Sequence, residues 1–144
     1  MAEGLLREDL PSHCGGEVTV SSAGTRAWNG QPAASLSVMV MKKKGIDISR
    51  HEARFVTPDI INKASLIVAL TSAHMEHMKA IAPGSGEWMI VLGALDPERE
   101  NAGVEDPIGG STGDYQAARD DIARLIVFLL EYIAERFDLQ TDTR

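Results

Sequence analysis

The chain has 144 residues, 44% apolar and 24% charged, which is the composition of one globular domain with a real core. A formal net charge of −7 argues against nucleic acid or an anionic membrane as a general partner, and no apolar run is long enough to span a bilayer. The single cysteine, Cys14, excludes a disulfide framework and a cysteine-rich metal site.

The first nine residues carry Glu3, Arg7, Glu8 and Asp9 and do not read as a signal peptide, so the cytoplasm is the expected location. Ala2, Leu5, Leu6 and Leu10 share one helical face, and Pro11 with Gly15-Gly16 ends that helix. Glu17 to Ser22 is short and β-branched, the pattern of a strand. Gly24 to Gln31 reads as loop. A helix follows with Pro32 in its first turn, Leu36, Met39, Val40 and Lys43 along it, and Gly45 as its stop. Thr57-Pro58-Asp59 is a helix start: a hydroxyl cap, proline at the first position, then an acid. Leu66 to Leu70 is a continuous apolar run, as in a parallel strand covered on both faces. Ser72 is placed to cap a helix that turns Met75, Met78 and Ile81 inward, and Trp88 to Leu92 reads as another buried strand. Tyr115, Ala118, Ile122, Leu125, Ile126, Leu129, Ile133 and Phe137 recur at spacings of three and four, the face of a long last helix. Strands alternating with helices argue for an α/β fold with a parallel sheet.

The chemistry-bearing residues are few. Cys14 follows His13 in a glycine-rich turn, but the residue six places on is Val20, so no arginine completes a Cys-x5-Arg loop; an incidental turn thiol is the expectation. His74 and His77 have a metal-like spacing without a third ligand, and no metal or cofactor is expected. Lys42, Lys43 and Lys44 close a helix, where cations suit the dipole. Asp96-Pro97 reads as an ordinary turn, whereas Asp106-Pro107 stands in Asp-Pro-x-Gly-Gly-Ser directly before the long helix.

Met-Ala-Glu-x-Leu-Leu at 1–6, Ser-Ala-Gly-Thr at 22–25, Gly-Ile-Asp-Ile-Ser at 45–49 with His-x-Ala-Arg at 51–54, and Asp-Pro-x-Gly-Gly-Ser at 106–111 occur in this order. Together they resemble the low-molecular-weight protein tyrosine phosphatases, of the bacterial Asp-Pro-x-Gly-Gly-Ser type, from Met1 to about residue 137. The resemblance implies a three-layer αβα, flavodoxin-like fold, with one domain over 1–138 and a frayed tail over 139–144. It also implies a first strand and a Cys-x5-Arg-Ser-Pro phosphate loop directly before Met-Ala-Glu. Neither is among these 144 residues, and the expectation is a start read too late, on an internal methionine. That strand would be interior, between 17–22 and 66–70. Its loss leaves a gap of about 9–10 Å, with orphaned backbone groups at roughly 1–3 kcal/mol each.

In this family a cysteine thiolate attacks phosphorus to give a cysteinyl phosphate, and an Asp-Pro aspartate protonates the leaving oxygen. By resemblance Asp106 is that acid, Ser22 and His51 hydrogen-bond the phosphate loop, and Trp28 and Ile108 line the cleft mouth. Family members usually carry an aromatic at the Ile108 position, and isoleucine weakens stacking on a phenol ring. Phosphoarginine is therefore an alternative to phosphotyrosine. With a restored loop the implied partner is a phosphorylated protein or a small phosphomonoester. Without one, the chain is expected to be inactive. The alternative is a non-catalytic regulatory or dimerising module, whose exposed strand edges pair with a second copy.

Overall fold

The computed structural model describes residues 1–10 and 18–139. His13 and Cys14, the expected helix end at Pro11 and Gly15-Gly16, and residues 140–144 of the expected tail lie outside them. In chain order the elements are α1 (Ala2–Asp9), α2 (Ser35–Lys42), α3 (Pro58–Lys63), β1 (Ile67–Ala69), α4 (Ser72–Ile81), β2 (Met89–Val91) and α5 (Thr112–Arg136). Short 3-10 segments at Ser85–Trp88 and Leu92–Leu95 flank β2. The chain divides into two units, one of residues 1–22, 32–51 and 105–144, the other of 23–31 and 52–104.

The first unit is helical. The predicted face of α5 is buried at Tyr115, Ala118, Ile122, Leu125, Ile126, Leu129 and Ile133, with Leu130 beside them, and α1 and α2 pack against this helix. Phe137 departs from the expectation: α5 ends at Arg136, so Phe137 leaves the helical spacing and stays 38% exposed beneath the Arg136 guanidinium. Arg119, on the same helix, is buried and donates from Nη1 to the Val40 carbonyl at 2.8 Å. Val40 lies in the last turn of α2, where carbonyls have no partner within their own helix. Gly45 stops α2 as expected, with φ at +75°, a conformation that costs glycine nothing. Pro32, by contrast, precedes the Ala34 cap of α2 and lies outside its first turn.

The second unit holds the sheet. β1 and β2 are parallel, Ile67 opposite Met89 and Ala69 opposite Val91, with α4 as the crossover. Val56, Ile61, Ala69, Met78, Ala82, Met89 and Val91 form its core, and Met75 and Ile81 pack on it as the sequence suggests. Thr57 caps α3 as expected, accepting from the Ile60 N–H. The cap of α4 is Thr71, not Ser72. A cap must be extended while accepting from the third residue on; Thr71 does this for the His74 N–H, and Ser72 is already helical.

The fold class is α/β with a parallel sheet, as the alternation predicts. The strand expected at Glu17 to Ser22 is not formed: residues 18–22 lie outside any ladder. β-branched residues favour extension, but a ladder needs a neighbour, and the Val20 carbonyl accepts from the Arg7 guanidinium instead. Among the described residues the sheet therefore has two strands and not three. No described helix is long and apolar enough to cross a membrane.

Candidate active site

Asp106 opens the loop that leads into α5. Its Oδ1 accepts the Ile108 N–H at 3.0 Å, an Asx turn, and the Gly110 N–H donates to the Pro107 carbonyl at 2.8 Å. The two glycines have separate reasons. Gly109 sits at φ +76°, and a Cβ on Gly110 would lie 2.6 Å from Asp114 Oδ2 and 2.8 Å from the Pro107 oxygen. Ser111 then caps α5 in a capping box: its hydroxyl accepts the Asp114 N–H while Asp114 Oδ2 accepts the Ser111 N–H. The outcome is a short, tightly held loop with its acid exposed and Ile108 projecting beside it, 79% exposed.

Ser22 and His51 meet at a carboxylate that sequence reasoning passed over. Ser22 Oγ donates to Glu3 Oε2, Arg7 Nη2 donates to Glu3 Oε1, and His51 Nδ1 lies 3.7 Å from Glu3 Oε2. The Glu3 side chain is 13% exposed. Burial works against its charge, but the hydrogen bonds from Ser22 and Arg7, with the charges of Arg7 and of a protonated His51, outweigh it and hold the carboxyl below its ordinary range. The Glu3–Arg7 pair has the i, i+4 spacing of a helix ion pair and was legible as such. Its reach to Ser22 and His51, distant in sequence, was not.

Trp28 lies in the second unit, in a loop clamped by backbone bonds. Gly24 N–H donates to Arg54 O at 2.9 Å, Val56 N–H to Gly24 O at 3.1 Å and Gly30 N–H to Ala53 O at 2.8 Å. Asn29 Oδ1 accepts the Phe55 N–H at 2.8 Å. On this clamped loop Trp28 is 79% exposed, and Phe55 is 44% exposed. His74 and His77 lie on α4, apart from these groups in sequence and element.

The family profile described as low molecular weight phosphotyrosine protein phosphatase matches residues 1–139. The chain belongs to this family. It is 37% identical over 107 residues to a probable low molecular weight protein-tyrosine-phosphatase, EpsP, of Ralstonia solanacearum, a match spanning 74% of this chain and 68% of that protein. It is 32% identical over 126 residues to arsenate reductase 2 of Staphylococcus saprophyticus, spanning 88% and 82% of the two chains. Among solved structures, the YwlE arginine phosphatase from Geobacillus stearothermophilus superposes with a TM-score of 0.81 at 30% identity, over 94% of this chain and 84% of that one. This low-molecular-weight phosphatase fold is the one the sequence motifs imply.

Proposed function

We propose that this family member removes phosphate from phosphorylated proteins, tyrosine or arginine, when residues 1–144 are joined to a Cys-x5-Arg loop, and that these residues alone do not turn over. In that reaction a thiolate forms the S–P bond as the P–O or P–N bond breaks, and Asp106 delivers its proton to the departing atom. Water then hydrolyses the cysteinyl phosphate, and Asp106 takes back a proton. The observation that carries this reading is the held loop that presents an exposed Asp106 at the start of α5, in a chain whose one thiol has Val20 six places on. Ser22 and His51 serve the phosphate loop, and Trp28 and Ile108 contact the substrate. An aliphatic Ile108 favours a flexible phosphoarginine side chain over a phenol ring. One cysteine does not support the multi-cysteine relay of arsenate reduction. The protein works in the cytoplasm, as a single domain over 1–138, without metal or cofactor.

Translating the DNA upstream of the first codon in frame tests the reading. A Cys-x5-Arg-Ser-Pro series directly before Met1 supports it, and a stop codon there removes it. The second reading, a non-catalytic dimerising module, draws on the two-stranded sheet and on a segment 18–22 outside any ladder. Sedimentation decides it: a well-behaved monomer removes the dimeric form.

A further inference from the structure

Glu3 is the one described carboxylate that gathers a hydroxyl, a guanidinium and an imidazole. An ionised carboxylate only accepts hydrogen bonds, so each group that faces it must turn a proton toward it. A serine hydroxyl has a single proton. With that proton committed to Glu3 Oε2, the remaining face of Ser22 Oγ offers lone pairs. The neutral His51 ring has one proton to place. With Nδ1 facing the same oxygen at 3.7 Å, the favoured tautomer is Nδ1–H, which leaves Nε2 as an acceptor. Arg7 occupies the other carboxylate oxygen and also bonds the Val20 carbonyl at 2.8 Å, which ties α1 to the segment that carries Ser22.

We propose that Glu3 is a positioning residue, whose one carboxylate turns Ser22 and His51 into hydrogen-bond acceptors at the same time. What these two residues hold is then a donor, a hydroxyl or a backbone N–H of the phosphate loop, and not an oxygen of the phosphate itself. The second half of this statement rests on the proposed function, because it assigns the donor to that loop. The first half does not depend on catalysis.

The experiment is nitrogen-15 NMR of the histidine rings in the 144-residue chain, recorded once the rings have lost their second proton, with Glu3→Gln and Arg7→Ala for comparison. The expected result is His51 mainly as the Nδ1–H tautomer in the native chain and in Arg7→Ala, which keeps the carboxylate. In Glu3→Gln the Nε2–H form becomes the major one. A native His51 protonated on Nε2, or a tautomer unchanged by Glu3→Gln, overturns the proposal. A Glu3→Gln chain that fails to fold leaves the native spectrum to decide. Absence of turnover in any of these chains bears on the proposed function and leaves the ring spectra unaffected.

Discussion

Two Asp-Pro pairs, ten residues apart, build the same local turn and differ in everything else. Asp96 Oδ1 accepts the Glu98 N–H at 3.0 Å, and Asp106 Oδ1 accepts the Ile108 N–H at the same distance. Asp96 is buried, and the chain after it is held by Arg99, which bonds the Asn101 and Gly103 carbonyls. Asp106 is exposed, and the chain after it runs through two glycines into the capping box of the longest helix. The dipeptide specifies a turn. Whether its carboxylate is a structural bracket or an available acid is decided by burial and by what the following residues build.

That contrast is broken most directly by removing the exposed acid. In a chain completed with a Cys-x5-Arg loop, Asp106→Ala should cost about 10²–10⁴-fold in kcat toward p-nitrophenyl phosphate. Its unfolding free energy should change by no more than about 0.5 kcal/mol, read from urea titration. Near the buried turn the sign reverses. A Cβ on Gly93 would lie 2.1 Å from the Ala102 carbonyl oxygen, a backbone atom that cannot swing aside, so Gly93→Ala should lose about 3 kcal/mol or more. Asp96→Ala should lose about 1–3 kcal/mol, because buried N–H groups are left without their acceptor. Both urea midpoints check these losses, and equal stability effects for Asp96→Ala and Asp106→Ala would erase the contrast.

The smallest effect is a pH dependence. The folded chain holds the Glu3 carboxyl below its unfolded value of about 4.3, so the stabilisation it supplies is complete above that pH. It is lost as the pH falls through the folded value. Between neutral pH and strong acid the melting temperature of Glu3→Gln should therefore fall less than that of the native chain, with the two curves converging in acid.

Much of the fold was legible because local chemistry dictates it. The period of α5, the Thr57-Pro58 start of α3 and the Gly45 stop of α2 each follow from residues within one or two turns. The failures have a common cause. Val18 to Ser22 has strand-like side chains, yet a strand exists only against a neighbour, and no local pattern reports one. Thr71 and Ser72 both carry a hydroxyl, and only backbone geometry separates cap from first helical residue. In the candidate site the Asp-Pro loop was legible as a motif. The Glu3 cluster was not, because it joins residues 3, 22 and 51 through side chains whose meeting only the fold determines. Arg119 was hidden in the same way, as a charge on the buried face of a helix satisfied by a carbonyl far away in sequence.

The most direct test of the account is p-nitrophenyl phosphate hydrolysis by purified residues 1–144 beside the same residues preceded by a Cys-x5-Arg-Ser-Pro loop and its strand. The account predicts turnover from the longer chain, and none from the shorter one above the Cys14→Ser background. Turnover by the shorter chain that disappears in Cys14→Ser would contradict it.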